Sequence, residues 1–387
     1  MRVLFVTPYY PPLSYGGIET DVETLARIVA RTGHATVLAP GREPEPVRET
    51  TRDGVVVLRT ARLAPFSPYD WDAARYPELF RKVIADQGTT HVLAHNLHLW
   101  IQPRILEALL RASVEEGAAL YLRSHNFCAP SEATVLRSTP WAGVCAVSSA
   151  LARQTSALGV SPEIVHVVPA PVATDRFRPA RHDEVRRRLE IAPDVPVVLH
   201  ASRIVGGPDP LGIKGLPNLL RVLARLPTAH LVVATARPVP ELEEAFRESR
   251  RKLGELAREL GLAERLHVTS ATAEEMPGIY NGCDVFAMLS RIETFGQAYA
   301  EASACGLPVV GTDVGGIYEV IEDGRTGYLV RSEDEAVEAL QRLLSDPGLR
   351  ERLGRAGRRR VLDRFSPPAV LTALQEALST PHPSTAD

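Results

Sequence analysis

The segment SRIETFGQAYAEASACGLPVVG, residues 290–311, follows an apolar run at 285–289 and itself ends in a second apolar run. This pattern predicts a strand, a loop, a helix and another strand. The loop would follow the carboxyl end of a parallel strand, where open α/β sheets bind their ligands. Glu293 lies in this loop, and Glu301 lies on the helix, about 7 to 8 Å beyond Gly296 at its start. Helix amides suit phosphates and carboxylates suit hydroxyls, so the segment predicts a ligand-binding edge of a sheet.

The rest of the chain alternates short apolar runs with longer amphipathic segments, which is the pattern of repeated β-α units. Its 387 residues are too many for one ordinary core and fit two domains of roughly 150 to 200 residues each. We expect a linker at 175–196, where prolines and charges replace apolar runs. The predicted strands are 2–7, 35–39, 55–59, 91–94, 120–124, 144–147, 164–168, 197–201, 231–234, 266–269, 285–289 and 308–311. The sequence therefore predicts an α/β protein with two doubly wound parallel sheets.

The spacing of the two glutamates matches a known signature. Glu293 and Glu301 are separated by seven residues, with Phe295-Gly296 between them and Gly306-Leu-Pro-Val-Val after them. An isolated pair of glutamates would more often be solvated, but this combination resembles the E-x7-E motif of retaining glycosyltransferase family 4. The resemblance implies the GT-B fold, in which two Rossmann-like domains face a central cleft. It assigns a catalytic role to Glu293 and donor binding to Thr294, Phe295, Gly296 and Glu301, the last of these binding the nucleotide ribose.

Two cations form the second matching element. Arg203 follows the predicted strand 197–201, and Lys214 precedes Gly215, as in the Gly-Arg and Lys-Gly pairs of that family. Only three of the 44 basic residues are lysines, which favours a specific need for a compact charge, at Lys82, Lys214 and Lys252. The resemblance implies that Arg203 and Lys214 bind the donor diphosphate and stabilise charge on the leaving group. The intervening segment 204–213 is longer than in the family and rich in Gly and Pro, and we expect it to act as a lid over the donor.

A glycine pair follows the first predicted strand. The stretch PPLSYGGIE, residues 11–19, resembles the family's amino-terminal P-x-x-G-G motif. The resemblance implies that Gly16 and Gly17 let the backbone approach the donor across the cleft. A Gly-Gly pair also fits an ordinary turn, so its position after the first strand favours the binding interpretation.

His125 follows the predicted strand 120–124 and matches the active-site histidine of the family, which implies a catalytic role. A single histidine is more often structural, but the end of a parallel strand is a position typical of sites. His91, His95 and His98 raise the alternative of a zinc site. Their spacing crosses a strand-to-loop junction and lacks a helical His-x3-His face, so we predict no metal.

Composition excludes several classes of protein. A net charge of -3 gives no general attraction to nucleic acid. Segments as long and apolar as a membrane span are missing from the sequence, and the chain begins with a strand-like run rather than a signal peptide, so we expect a cytoplasmic protein with at most weak membrane association. The four cysteines lack metal or redox spacing and are expected to be reduced packing residues. A basic cluster near the carboxyl end is expected to be a solvated helix face, at Arg355, Arg358, Arg359, Arg360 and Arg364.

Together these patterns predict an acceptor-binding domain at 1–178 and a nucleotide-sugar-binding domain at 179–365, with a last helix at about 366–380 packing back on the first domain. The expected reaction moves a sugar from a nucleoside diphosphate-sugar, with a UDP-sugar favoured, to a hydroxyl of a small-molecule or glycan acceptor, with retention of configuration. We expect no cofactor besides this co-substrate, and no metal. Two alternatives remain open: an epimerase of the same fold, which would act on the donor alone, and a non-catalytic nucleotide-sugar-binding protein.

Overall fold

The computed structural model describes residues 1–8, 10–11, 16–41, 43, 46–60, 75–100, 103–180, 184–205, 209–238 and 242–379. The chain forms two compact units. Unit 1 comprises Met1–Pro171 together with the segment from Pro367 onward, and unit 2 comprises Val172–Ser366. The sequence placed this boundary after residue 178. The structure divides the chain earlier because the amide of Val172 already donates to the carbonyl of Phe365 in unit 2, at 2.8 Å.

Unit 1 is built on an eight-stranded sheet. Its strands are β1 (Arg2–Val6), β2 (His34–Pro40), β3 (Val47–Thr50), β4 (Val56–Thr60), β5 (His91–His95), β6 (Ala119–Ser124), β7 (Gly143–Ala146) and β8 (Val165–Val167). They lie in the order β3-β4-β2-β1-β5-β6-β7-β8, and the β3–β4 pair is antiparallel whereas the other pairs are parallel. The strand order reverses between β1 and β5, which marks the carboxyl edge of these strands as a place for a ligand.

Unit 2 is built on a six-stranded parallel sheet. Its strands are β9 (Val197–Ala201), β10 (His230–Ala236), β11 (Leu266–Ala271), β12 (Val285–Met288), β13 (Val309–Thr312) and β14 (Gly327–Val330). They lie in the order β11-β10-β9-β12-β13-β14. Here the order reverses between β9 and β12, so the loops after these two strands are where a doubly wound sheet binds its ligand.

Helices connect the strands of both sheets. They are α1 (Gly17–Thr32), α2 (Arg75–Gln87), α3 (Leu97–Trp100), α4 (Pro103–Glu115), α5 (Ala133–Ser138), α6 (Ser149–Ala157), α7 (Glu184–Arg188), α8 (Leu216–Ala224), α9 (Glu243–Glu259), α10 (Met276–Asn281), α11 (Gln297–Ala304), α12 (Ile317–Val320), α13 (Glu333–Ser345), α14 (Pro347–Arg364) and α15 (Pro367–Ser379). Among the described residues, every helix falls short of the length and apolar character that a membrane crossing requires.

The core of unit 1 follows from the two-residue period of its strands. Val3 and Phe5 face one apolar layer, whereas Leu4 and Val6 face the other, because successive side chains of a strand point to opposite faces. Leu374 of α15 lies in the same layer as Phe5. The last helix therefore completes the core of unit 1 although it follows the whole of unit 2 in the chain.

The predicted fold class is confirmed, and every predicted strand overlaps a strand of the structure. Two strands were missed, β3 and β14. The four residues of β3 are all exposed, and the strand pairs antiparallel with β4 at the sheet edge, so it carries no apolar alternation that a sequence could reveal. The four residues of β14 are too few to establish a period.

Candidate active site

The reversal point of the unit 2 sheet brings two of the predicted site residues into direct contact. Lys214 precedes α8 on the connection from β9, and Glu293 lies in the loop after β12. Lys214 Nζ lies 2.7 Å from Glu293 Oε2, and both side chains are partly or mostly shielded from solvent, with exposed fractions of 32% and 11%. A charge-assisted hydrogen bond of this length fixes both groups at the sheet edge.

Gly215 lets the Lys214 segment approach β12. Its φ is +66°, in the left-handed region, and it caps the amino end of α8. A Cβ atom at this position would lie 1.7 Å from the carbonyl oxygen of Leu289, which no side chain can tolerate. Beside it, the amide of Arg291 donates to the carbonyl of Ile213 at 2.9 Å. The Lys-Gly pair is therefore a packing requirement, because the glycine allows the lysine to reach the Glu293 loop.

Replacing Gly215 with alanine is expected to destabilise unit 2 by about 1–2 kcal/mol from the left-handed backbone alone, with the contact to Leu289 adding to this loss. Urea unfolding of the full chain measures the change. The matched control is Gly254→Ala in α9, where a Cβ atom has nothing within 4 Å and alanine should stabilise the helix by about 0.5–1 kcal/mol. Equal stability of Gly215→Ala and wild type would show that this contact is not formed.

Two neighbouring glycines, Gly315 and Gly316, hold the backbone of Glu293. Gly315 has a φ of +56°, and a Cβ atom there would lie 1.7 Å from the carbonyl oxygen of Glu293. The amide of Gly316 donates to that same oxygen at 3.0 Å. At the end of β13, Thr312 Oγ1 donates to the carbonyl of Ser290. The loop after β13 therefore fixes the loop after β12, a role that the sequence did not assign to these glycines.

Of the two side chains that follow Glu293, that of Phe295 is buried and that of Thr294 is partly exposed. Phe295 is buried and packs edge-on against Phe365, with ring centroids 5.1 Å apart. Any contact of Phe295 with a donor must therefore come from its backbone rather than its ring. Thr294 is partly exposed, and Gly296, with a φ of +97°, caps the amino end of α11.

Glu301 lies on α11, one turn beyond Gln297. Its carboxylate accepts hydrogen bonds from the hydroxyl of Tyr280 at 3.1 Å and from Nε2 of Gln297 at 3.2 Å. Burial raises the pKa of Glu301 to about 7, against these two hydrogen bonds, which lower it. A carboxyl group whose pKa is raised to near neutral at the edge of a ligand site is a candidate functional group.

The structure describes Arg203 and part of the segment that follows it. Arg203 is exposed and, within the described ranges, has neither an ion-pair nor a hydrogen-bond partner. The expected lid at 204–213 includes residues 206–208, which lie outside the described residues. Its second half is anchored by the carboxylate of Asp209. This carboxylate accepts one hydrogen bond from the amide of Gly212 at 2.9 Å and another from Arg291 Nη2 at 2.6 Å. Closure of a lid stays a prediction.

The reversal point of the unit 1 sheet holds a buried cluster around His125. His125 follows β6, and its Nε2 lies 3.1 Å from Nδ1 of His95, the last residue of β5. Asp21, on α1, places Oδ2 3.5 Å from Nε2 of His125 and 3.8 Å from Nδ1 of His95. The backbone amide of His125 donates to Oδ1 of Asn96 at 2.8 Å. His125, the predicted site residue, thus lies in direct contact with His95 at the edge where the sheet order reverses.

Arg123 is the member of this cluster that the sequence did not reveal. It is fully buried in β6 and donates to both carboxylate oxygens of Asp21, at 2.6 and 3.1 Å. It also donates to the carbonyls of Val168 and Pro169. A buried arginine needs such partners, and the only signal in the sequence was a charged residue within an apolar strand.

The electrostatics of the cluster keep its imidazoles neutral. Burial holds the pKa values of His95 and His125 well below their usual range, and the Arg123 guanidinium lowers both further, whereas Asp21 opposes the shift at His95. Burial lowers the pKa of His98 to about 4. His98 is buried, and both of its ring nitrogens lack a hydrogen-bond partner among the described residues. These histidines therefore act as hydrogen-bond donors or acceptors and not as cations.

The zinc alternative drawn from His91, His95 and His98 does not match the geometry. His91 instead contacts Oγ1 of Thr90 at 2.8 Å. Within the part of the chain that the structure describes, the ligand atoms that converge belong to Asp21, His95 and His125, all within 4.8 Å of one another. Asp21 is already neutralised by the Arg123 guanidinium, so a divalent cation beside it would lack a counter-charge. The arrangement favours a hydrogen-bonded network, and the expectation of a metal-free protein stays a prediction.

Gly16 and Gly17 lie at the same edge of unit 1, since Gly17 begins α1 and Gly16 caps it. The preceding part of the predicted motif, residues 12–15, lies outside the described residues. Whether these glycines approach a donor stays a prediction. Their position at the start of a 16-residue helix gives free amides for an anionic or hydroxyl group.

The basic cluster near the carboxyl end is only partly the solvated face that we expected. Arg358 donates to the carbonyl of Ala304 at the end of α11, and also to that of Phe177 at 3.2 Å. Arg360 donates to the carbonyl of Glu319 at 2.9 Å. These two side chains cap the ends of neighbouring segments, because helix carboxyl ends leave carbonyl groups without partners.

Comparison with known proteins places these features in a family. Residues 182–360 match the model of the glycosyl transferases group 1. The chain is 31% identical over 365 residues to D-inositol 3-phosphate glycosyltransferase 1 of Catenulispora acidiphila, covering 86% of this chain and 83% of that protein. It is 32% identical over 392 residues to the GDP-mannose-dependent alpha-(1-6)-phosphatidylinositol monomannoside mannosyltransferase of Mycolicibacterium smegmatis, covering 94% of each.

Solved structures agree in fold. Anabaena HepE (Alr3699), in complex with UDP and glucose, superposes with a TM-score of 0.76 at 20% identity, covering 98% of this chain and 100% of that one. Sucrose-phosphate synthase of Thermosynechococcus elongatus superposes with a TM-score of 0.78 at 21% identity, covering 97% of each chain. At this identity the likeness concerns the fold alone, and that fold is GT-B.

Proposed function

We propose that this chain, which belongs to the group 1 glycosyltransferases, moves a sugar from a nucleoside diphosphate-sugar to a hydroxyl acceptor with retention of configuration. The observation that carries the proposal is the contact of Lys214 with Glu293 at the reversal point of the unit 2 sheet. A cation, a carboxylate and a helix start at one sheet edge suit the diphosphate and the hydroxyls of a sugar nucleotide.

Each residue of this edge has a proposed role. Lys214 and Arg203 bind the donor diphosphate, together with amides at the start of α11. Glu301 accepts hydrogen bonds from the ribose, and Glu293 accepts them from the donor sugar. In unit 1, the edge that carries His125 binds the acceptor. Preorganised cations at the diphosphate stabilise the charge that develops there as the sugar–phosphate bond breaks.

The mechanism needs no carboxylate nucleophile. Double displacement requires two carboxylates about 5 Å apart that flank the scissile bond, one of them free to attack. Glu293 is instead paired with Lys214, and Glu301 is held by Tyr280 and Gln297. We propose that the acceptor hydroxyl attacks from the side of the departing diphosphate, which accepts the proton. Retention rests on the resemblance to family 4.

The identities of donor and acceptor are proposed from the relatives. HepE binds UDP and UDP-glucose, and the Mycolicibacterium smegmatis relative uses GDP-mannose, so UDP- and GDP-sugars are the donors to compare, with UDP-sugars retained as the first choice. Both curated relatives are named for inositol-containing acceptors. We therefore propose an inositol-type polyol, free or in a conjugate, as the acceptor.

A thermal-shift screen followed by a transfer assay tests the function. UDP, GDP, ADP and dTDP are compared first, because a nucleotide present at 100 times its Kd stabilises the protein by about 2.7 kcal/mol. The matching sugar nucleotides are then incubated with and without inositol phosphates. Product that forms only with an acceptor supports the proposal. Conversion of the donor to an epimer without acceptor would make the protein an epimerase, and binding without turnover would make it a binding protein.

Transfer is expected to need no divalent metal, because Lys214, Arg203 and the start of α11 already supply positive potential at the diphosphate. Initial rates in chelator should equal those in added magnesium. An activity that chelator abolishes and magnesium restores would overturn this expectation and move the stabilisation of the leaving group to a bound ion.

A further inference from the structure

We propose that His95 is a positioning residue that holds His125 as a neutral imidazole protonated on Nδ1, so that His125 serves as a hydrogen-bond donor and not as a base. The proposal rests on the proposed function in so far as His125 lies in the acceptor site. It starts from one contact, the 3.1 Å separation of His95 Nδ1 and His125 Nε2. Two neutral rings share a single hydrogen across this contact, and the position of that hydrogen decides what His125 can do.

The surroundings of His95 decide between the two possible donors. If His125 donated from Nε2, then His95 would carry its own hydrogen on Nε2. That atom is buried and lacks a hydrogen-bond partner within the described ranges. A buried N–H without a partner is rarer in proteins than an unused acceptor. His95 therefore donates from Nδ1, its bare Nε2 is an unused acceptor, and the hydrogen of the His125 ring is on Nδ1.

Asp21 is the group that could reverse this arrangement. Its Oδ2 lies 3.5 Å from His125 Nε2, and a free carboxylate there would attract a hydrogen onto that nitrogen. Arg123 weakens this attraction by donating to both oxygens of Asp21, from Nε at 3.1 Å and from Nη2 at 2.6 Å. The charge of the carboxylate is therefore neutralised, and the shorter contact of His125 Nε2 is the one with His95.

The charge of the cluster excludes a doubly protonated pair. The titratable and charged groups that face the two rings are Asp21, Arg123 and His98. Burial holds the pKa values of both rings well below their usual range, and Arg123 lowers both further. His125 therefore stays neutral over the working pH range and does not take a proton from the acceptor. That assignment agrees with a departing diphosphate that accepts the proton.

The backbone of His125 is fixed as well as its ring. Its amide donates to Asn96 Oδ1 at 2.8 Å, and Asn96 Nδ2 donates to Asn126 Oδ1 at 2.7 Å. Asn96 has a φ of +52°, a left-handed conformation that costs free energy and is common at functional sites. The ring and its backbone are thus both held in one geometry, which leaves Nδ1–H of His125 without a partner among the described residues and available to a ligand oxygen.

The test is the tautomer of His125, read by long-range ¹H–¹⁵N NMR on full-length protein labelled with [¹⁵N]histidine. Signals are assigned with His95 and His125 variants. Wild type should show a protonated Nδ1 and a bare Nε2 in His125. His95→Asn keeps an N–H donor near the position of Nδ1 and should preserve both this tautomer and most of kcat. His95→Leu should release Nε2 toward Asp21 and lower kcat by about 5- to 150-fold, the factor for one lost hydrogen bond.

A second histidine pair supplies the control. His230 Nδ1 and His267 Nε2 lie 3.0 Å apart on neighbouring strands of unit 2, and this pair is partly exposed. His230→Leu should change neither the His125 tautomer nor kcat. Nucleotide binding, measured separately, should be the same in all His95 variants, because Lys214, Arg203 and Glu301, which are proposed to bind the diphosphate and the ribose, lie in unit 2.

Three results would overturn the proposal. The first is a wild-type His125 protonated on Nε2. The second is a bare Nδ1 in His95, which a metal ion bound between the rings would require. The third is a His95→Leu variant that keeps the tautomer and full kcat. NMR determines the tautomer independently of any transfer assay. A protein that shows the expected His125 tautomer but transfers no sugar would therefore contradict the proposed function and leave the positioning role of His95 intact.

Discussion

Replacing Lys214 with methionine is expected to lower turnover with donor and acceptor by about 10²- to 10³-fold, the loss typical of one preorganised electrostatic donor. The Kd of the donor should change much less, because the charge that Lys214 stabilises develops as the sugar–phosphate bond breaks. Initial rates and donor binding are measured on the same preparations. Lys252→Met is the matched control, since Lys252 is exposed on α9 and pairs with Glu248 at 3.4 Å, a surface ion pair of little energetic weight.

The contact with Glu293 makes a second comparison necessary. Lys214→Met leaves the Glu293 carboxylate, only 11% exposed, without its cation. The double variant Lys214→Met, Glu293→Gln removes that unpaired charge. If Lys214 acts on the diphosphate, the double variant should be at least as slow as the single one. Recovery of most of the activity in the double variant would show that Lys214 serves only to neutralise the carboxylate of Glu293.

Arginine is not expected to replace this lysine. Lys214 is followed by Gly215, whose backbone lies against the carbonyl of Leu289, so the position of the side chain is tightly set. A planar guanidinium cannot occupy the place of a compact ammonium group. Lys214→Arg should therefore remain well below wild type in kcat. A fully active Lys214→Arg would mean that charge alone is required there.

The sequence predicted the fold well because its signals were local. Apolar runs such as 285–289 mark parallel strands that are buried on both faces, and each of these runs overlaps a strand of the structure. The sequence predicted that Lys214 and Glu293 both lie near the ligand, but it did not predict that they contact each other. The structure adds the direct ion pair, which depends on Gly215 and on the loop that contains Gly315.

The cluster of unit 1 could not be predicted, because its contacts join distant parts of the chain. Arg123 and Asp21 are 102 residues apart, and each resembles an isolated charge in its own segment. His95 is 30 residues from His125, and the sequence treated the first as a candidate metal ligand and the second as a catalytic residue. Strand order alone brings them together, since β5 and β6 are neighbours and both end at the same edge.

Glu301→Gln is expected to weaken binding of the sugar nucleotide by about 1–3 kcal/mol at pH 8, the range for a lost hydrogen bond to a charged group. The loss should depend on pH. The pKa of Glu301 is raised to about 7 by burial, so the carboxyl group of the free protein is mostly ionised at pH 8 and mostly protonated at pH 6. A ribose diol donates to the ionised form, which accepts at both oxygens.

The pH dependence of binding has a definite sign. Affinity of the wild type should fall by about tenfold between pH 8 and pH 6, because at the lower pH the carboxyl group must first lose its proton. The intact sugar nucleotide is the ligand to use, since the terminal phosphate of a free nucleoside diphosphate titrates near pH 6 and would add its own dependence. Glu301→Gln has no charge to lose, so its affinity should be nearly the same at both pH values.

The stability of the free protein should change in the opposite direction. The folded-state pKa of about 7 lies above the ordinary glutamate pKa of 4.5, so the carboxyl group of the unfolded chain ionises first as pH rises. The contribution of Glu301 to stability is therefore greatest below pH 4.5 and is lost as pH rises through 7. Glu301→Gln should raise Tm at pH 8 relative to wild type and have little effect at pH 5. A variant with unchanged affinity at pH 8 would remove Glu301 from the nucleotide site, and one with unchanged Tm at pH 8 would contradict the raised pKa of its carboxyl group.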